Sequence, residues 1–397
     1  MTRFLFVTSI LSILIIMSVG IKLNVLHEWK YVDFFWDNPQ QKQEAIDFGY
    51  YDPSSVKLYD ADRALDGRIF VTAAKDKGVP ASVMTVTNEN GEGGPLLRPY
   101  PDWSWYEENN CNSITAGVYG IFIKCNHLFI MDSGRFEPKK PVCLAQIFIF
   151  DLSTDKLIKR VIIPSNISNN RNGTGLLASI TVIAPHCENI KDNAIIFMAD
   201  SEGYGLIVYN SSTSKFCRIE HKFMKPTAAY FTIANQSFYL PDGIIPITII
   251  YNDLYYTAVA GYKMIKMEIP KLMECPLNDN EINEQTQIAA MLSGQTGPIT
   301  SEKCALFFSN LPQTSIMCAD ATKDINNNME LIVQDSERLQ FPSGLKYLPN
   351  AQKLLILTNR YQRVLTNTLN LNETNYRVLW IDQAEIQKET KCFDSCK

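Results

Sequence analysis

A unit that recurs six times constrains this chain more than anything else in it: a short apolar strand, a turn, then a second apolar strand. The leading strands read Arg68-Ile-Phe-Val-Thr72, His127-Leu-Phe-Ile-Met131, Ile195-Ile-Phe-Met-Ala199, Asp253-Leu-Tyr-Tyr-Thr257, Ala305-Leu-Phe-Phe-Ser309 and Lys353-Leu-Leu-Ile-Leu-Thr358. With Ile69, Leu128, Ile196, Leu254, Leu306 and Leu355 as equivalent positions, the steps are 59, 68, 58, 52 and 49 residues. That is the spacing of propeller blades. The answering strands, such as Ala145-Gln-Ile-Phe-Ile-Phe150 and Gly205-Leu-Ile-Val-Tyr209, are rich in β-branched and aromatic residues and bounded by turn formers. They are too short for helices, and a β-sandwich would not need so regular a repeat. The expectation is an all-β, six-bladed propeller with four-stranded antiparallel blades around a central channel.

Blades pack only on their neighbours, so the ring must be closed by a fastener. The strand-like segment from Lys22 to Phe34 is expected to pair with the last blade. The stretch Asn38 to Tyr51, with Gln40-Gln-Lys-Gln-Glu-Ala-Ile-Asp47, reads as the one good short helix and as a connection.

Residues 1–20 are a separate element. Arg3 precedes an apolar run from Phe4 to Val19 that ends in Ser18-Val-Gly20, the small residues a signal peptidase requires. The run is about 16 residues with no stop-transfer sequence after it, which favours a cleaved secretory signal over a membrane anchor. Residues 21–397 then form a single extracellular propeller domain with no membrane contact. Ten cysteines agree with an oxidising compartment. So do five N-glycosylation sequons, at Asn166, Asn172, Asn210, Asn235 and Asn372. Loss of Arg3 takes the charge from -5 to -6 without long like-charge runs, which argues against nucleic acid as a partner.

Several segments together carry a family resemblance: Glu28-Trp-Lys-Tyr-Val-Asp33, Gly78-Val-Pro-Ala-Ser-Val83, Asn110-Cys-Asn-Ser-Ile-Thr115, Phe129-Ile-Met-Asp-Ser-Gly134, Ile149-Phe-Asp-Leu152, Ala199-Asp200 and Leu339-Gln-Phe-Pro-Ser-Gly344. In this order, over about residues 24 to 382, the chain resembles the insect yellow and major royal jelly protein family, and within it the yellow-related salivary proteins of sand flies. The resemblance implies a six-bladed propeller that binds biogenic amines (serotonin, norepinephrine, epinephrine, dopamine) in a central pocket, to the benefit of a blood feeder. It implies a monomer in saliva, with no cofactor and no turnover.

An aromatic amine needs acceptors and a ring face for its ammonium, and apolar walls for its body. Carried over through Gln340-Phe-Pro-Ser-Gly344 and Thr358-Asn-Arg-Tyr361, the family's hydroxyl, Asn and aromatic ligands become Ser343, Asn359 and Tyr361, with Phe341 as a wall. The salivary relatives are expected to carry Thr and Phe where this chain has Ser343 and Tyr361. Serine keeps the acceptor without the methyl, and tyrosine adds a phenol to the ring face. A structural alternative stands beside this: Asp132, Asp200, Asn310 and Asn359 all fall four positions after the repeat anchors. A polar residue recurring there is explained equally by hydrogen bonds between blades.

Cys111 and Cys143 sit where the family carries a disulfide, and Cys125 with Cys187 forms the other expected pair, tying blades two and three. Cys217, Cys275, Cys304, Cys318, Cys392 and Cys396 remain open, with Cys392 and Cys396 able to pair with each other or elsewhere. Metal chemistry is not indicated, because the four histidines (His27, His127, His186, His221) lack ligand spacing. Two enzyme readings remain as alternatives. One is a calcium hydrolase built on Asp132, Asp200, Asn310 and Asn359; the other is the dopachrome conversion credited to some yellow proteins, for which no acid, base or nucleophile set is evident. A secreted propeller acting through protein partners, without a small ligand, is the third possibility.

Overall fold

Six four-stranded antiparallel sheets follow one another around an axis in the computed structural model, which describes residues 20–107, 110–114, 116–136 and 140–396. The secretory signal expected at 1–20 lies outside the described residues, Gly20 apart. The innermost strands are Leu58–Arg63, Val118–Lys124, Leu177–Ile183, Ile244–Ile250, Ile299–Glu302 and Phe341–Leu348. Each packs on the next, and the last packs on the first. This is the six-bladed propeller that the repeat implies.

The strands that announce the repeat are not the innermost. Ile69–Ala73, His127–Asp132, Ile195–Asp200, Asp253–Ala258, Ala305–Asn310 and Lys353–Asn359 are second in their sheets. Buried on both faces, they read as continuous apolar runs. The innermost strands face the cavity on one side and carry Asp60, Thr181 and Thr248 there, so their apolar signal is broken.

The ring closes as expected. Asn24–Trp29 forms the outer strand of the sixth sheet, antiparallel to Tyr376–Asp382, with Glu28 opposite Arg377 and Trp29 opposite Tyr376. Trp29, 1% exposed, donates its indole N–H to the Pro95 carbonyl of the first blade at 2.6 Å. Behind this seam Leu355, Leu357 and Val378 of the last blade share one apolar cluster with Leu58, Phe70 and Val83 of the first. Each such side chain contributes roughly 1.5–3 kcal/mol by burial, so the seam is a core and not merely a strand edge.

The connecting helix spans Pro39–Asp47, with Asn38 accepting from the Gln41 amide at 2.9 Å and Pro39 in the first turn, where its missing N–H costs nothing. It is not alone: Asp279–Gln285 has a capping box around Asn278, and Gln383–Glu389 leads into the tail. Among the described residues no helix is long and apolar enough to cross a membrane.

Cys111–Cys143 and Cys125–Cys187 are bonded as expected, and Cys217–Cys275, Cys304–Cys396 and Cys318–Cys392 complete the set. Cys392 and Cys396 therefore do not pair with each other. The tail folds back on the fifth blade, where Cys304 lies in the turn before Ala305–Asn310 and Cys318 in the neighbouring strand Ser315–Asp320. Five disulfides suit an oxidising, extracellular compartment. Of the sequon asparagines, Asn166, Asn172, Asn235 and Asn372 are exposed and Asn210 is half-buried.

Candidate functional site

A cavity of about 710 Å³ lies on the propeller axis, within the usual range for small-molecule sites. Its shape comes from the inner strands. Five of the six lose register with their neighbour at one end: between Leu58 and Ala61, Val118 and Ile121, Leu177 and Ser179, Ile244 and Ile247, and Pro342 and Gly344. The residues left out of the ladder, Tyr59, Tyr119, Ala178, Ile245 and Ser343 among them, all line the cavity. A bulge frees a side chain from the pleat and re-aims it, and here it does so around a ring.

Ser343, Asn359, Tyr361 and Phe341, the four residues singled out from sequence, all line this cavity. Asn359 ends the second strand of the last blade, and Tyr361 opens the short helix Tyr361–Leu365 just beyond it. The Asn359 amide donates to Ser343 Oγ at 3.1 Å and to the Leu58 carbonyl at 2.9 Å, while its Oδ1 accepts from the Tyr361 amide at 3.0 Å. The Tyr361 ring meets Phe341 at 5.5 Å and Tyr59 at 6.0 Å, both edge-on, and Tyr59 meets Tyr119 at 5.0 Å. These rings form an aromatic wall. Burial pushes the Tyr361 hydroxyl up to about 12, with Asp242 adding to the shift, so the phenol is neutral at physiological pH.

Two carboxylates, Glu202 and Asp242, line the same cavity. Glu202 lies in the turn between Ile195–Asp200 and Gly205–Asn210, Asp242 just before Ile244–Ile250 of the next blade, and a backbone hydrogen bond from Gly243 N to Ser201 O at 2.9 Å joins the two segments. Only glycine permits this approach, since a Cβ at 243 would lie 2.8 Å from that same carbonyl and 2.6 Å from the Met224 carbonyl. Burial, and then the charge of Glu202, push the Asp242 carboxyl up to about 7. The hairpin Tyr230–Ile233 and Gln236–Tyr239, with Asn235 in its tight turn, leads into the same rim through Tyr239 and Leu240.

Lys346 and Asp60, which also line the cavity, pair at 2.9 Å. Asp60 Oδ2 also accepts from the Ile121 amide at 3.1 Å, and Asp62 accepts from the Ile123 amide at 2.8 Å. These contacts join blades six, one and two. Burial raises the Asp60 carboxyl against the opposing pull of Lys346, and raises Asp62 to about 6.

Of the four polar residues that follow the repeat anchors, Asn359 lines the cavity and also bonds a neighbouring blade. Asp200 instead accepts from the Leu176 and Gly203 amides, at 2.6 and 2.8 Å, and pairs with Arg218 at 2.9 Å. Asn310 accepts from the Gln313 amide at 3.2 Å, and Asp132 accepts from the Gly134 amide at 3.0 Å. Both bonds tie down a loop of the same blade. Among the described residues no group of three or more His, Cys, Asp or Glu is placed to hold a metal ion. Sequence reasoning missed Tyr59, Tyr119, Glu202 and Asp242. Tyr59 and Tyr119 are both second residues of inner strands, so aligning those strands would have found them. Nothing local marks the two acids.

Fold and cavity together define a six-bladed propeller with an axial cavity of small-molecule size. The model of the family described as "Major royal jelly protein" matches residues 116–392. Major royal jelly protein 9 of Apis mellifera is 32% identical over 384 residues, covering 93% of this chain and 89% of the relative. Major royal jelly protein 8 of the same organism is 30% identical over 388 residues, covering 93% and 92%. Among solved structures, a catalytically inactive virginiamycin B lyase from Staphylococcus aureus with quinupristin overlaps at a TM-score of 0.42 and 10% identity, covering 83% of this chain and 96% of the other. The chain belongs to the yellow/major royal jelly protein family.

Proposed function

We propose that this protein is a secreted salivary binder of biogenic amines, a monomer that holds serotonin, norepinephrine, epinephrine or dopamine in the axial cavity and turns nothing over. The observation that carries the reading is the convergence of Ser343, Asn359, Tyr361 and Phe341 on one cavity of about 710 Å³ with an aromatic wall. Rings at 5–6 Å centroid distances offer π faces and edges to an indole or catechol, and their faces attract an ammonium. A micromolar complex with an amine of about 13 heavy atoms needs about 8 kcal/mol, roughly 0.6 per atom, which is well below the ceiling for small ligands. A sink without turnover works when its concentration approaches that of its ligand, which suits a protein delivered in bulk at a feeding site.

Titration calorimetry of the glycosylated, secreted protein against serotonin, norepinephrine and histamine tests the reading. One site per chain, weakened at least tenfold in a folded Tyr361→Ala variant, supports it. No heat from any amine, with the fold confirmed, overturns it and turns the search to protein partners or to dopachrome conversion.

A further inference from the structure

Resting on that reading, we propose that Asp242, with Glu202 beside it, is the counter-charge for the ligand ammonium and so selects cationic amines over neutral aromatic molecules of the same shape. Both acids line the cavity that holds the aromatic wall. Among the described residues no lysine, arginine or histidine pairs with Asp242, and the charge that acts on it is that of Glu202. Among the described residues that line the cavity the one cation is Lys346, which pairs with Asp60, and nearby Arg218 pairs with Asp200 and Glu220. Among the described residues the other titratable groups near the pair are the phenols of Tyr119, Tyr204 and Tyr361, with Tyr239 and the Arg218-paired Asp200 beside Tyr204. Burial raises the hydroxyls of Tyr119, Tyr204 and Tyr361, so these three stay neutral and do not offset negative charge.

Two carboxylates that share a half-closed site repel each other, and one is driven to keep a proton. The raised Asp242 carboxyl, at about 7, is the mark of that conflict. A ligand ammonium resolves it by replacing the proton with a fixed positive charge. Ser343 and Asn359 are weaker acceptors for this purpose. Both amide hydrogens of Asn359 are spent on Ser343 and Leu58, and its Oδ1 already accepts from Tyr361. An alkyl ammonium stays protonated up to about pH 10. Asp242, however, must lose its proton before it pairs, so amine affinity should rise with pH through about 7 and then level off.

The test compares serotonin with N-acetylserotonin, which keeps the hydroxyindole but has no charge, by titration calorimetry on the native protein, Asp242→Asn and Glu202→Gln at pH 5.5 and pH 8. The native protein is expected to prefer serotonin at least tenfold at pH 8 and to lose most of that preference at pH 5.5. Asp242→Asn should bind both ligands alike and show no pH dependence, while keeping its affinity for N-acetylserotonin, which also shows that the variant is folded. Glu202→Gln should lower the pH at which the preference appears. Equal native affinity for the two ligands, or a serotonin preference that survives Asp242→Asn, overturns the assignment while leaving amine binding intact. If the native protein binds neither ligand, the amine reading fails and the carboxylate assignment fails with it.

Discussion

Asn359 in the last blade donates a hydrogen bond from Nδ2 to the backbone carbonyl of Leu58 in the first, at 2.9 Å. The same amide holds Ser343 and receives the Tyr361 N–H. One side chain, 4% exposed, therefore serves both the closing seam of the ring and the wall of the cavity. The ligand and blade-bridging explanations for a polar residue at this position are compatible.

The dual role sets the outcome of Asn359→Ala. The substitution leaves the Leu58 carbonyl and the Tyr361 N–H without their partner, at a cost of about 1–3 kcal/mol for a buried group. The variant should melt several degrees below the native protein as well as bind amines more weakly. Ser343→Ala removes one partner of the Asn359 amide and leaves its bond to Leu58, so calorimetry on Ser343→Ala with an unchanged melting curve separates binding from closure.

Trp29→Ala removes a fully buried indole and its hydrogen bond to the Pro95 carbonyl at 2.6 Å. Large-to-small changes of this kind cost about 3–5 kcal/mol. Because the residue joins the outermost strand of the last blade to the first, urea unfolding should show a lowered midpoint. Hydrogen exchange should show early loss of protection in Asn24–Trp29 and Tyr376–Asp382. Protection unchanged in both strands would mean that the ring closes without this strand.

The C-terminal tail is held by Cys304–Cys396 and Cys318–Cys392, which close loops of 92 and 74 residues. On the chain-entropy model each is worth about 4 kcal/mol. A Cys392→Ser, Cys396→Ser double variant is expected to lose more thermal stability than either single variant. It should also expose the segment after Glu389 to proteolysis. The proposed amine binding should survive in the folded fraction, because no residue of the tail lines the cavity.

Asp242 also governs stability against pH. Its folded carboxyl, at about 7, lies above the ordinary value of 3.8, so the folded protein holds a proton that the unfolded chain releases. Stability therefore falls as pH rises from about 4 to about 7, and the penalty is complete above that. Asp242→Asn removes the charge. Its melting temperature should match the native protein near pH 4 and exceed it by a few degrees at pH 8, as differential scanning fluorimetry would read. A fixed serotonin concentration should raise the native melting temperature at pH 8 by more than that of the variant, which binds the cation more weakly.

The chain by itself determined its architecture. Six doubly buried strands, repeated at 49 to 68 residues, have no other economical way to bury both faces than a closed ring. A strand-like segment near the start of the domain, around Trp29, was the natural fastener. Ser343, Asn359 and Tyr361 were legible because they sit in short motifs carried by a family resemblance. What tertiary structure alone decided is the inner surface of the cavity. Bulges at Tyr59, Tyr119 and Ser343 break the two-residue period from which a strand is read, so the residues they aim inward leave no periodic trace. Glu202 and Asp242 are 40 positions apart in different loops, joined only because Gly243 lets two backbones touch. The partners of Cys392 and Cys396 likewise depended on where the tail lands. Periodicity reports what a residue's own strand buries; convergence from separate loops is a property of the assembled ring.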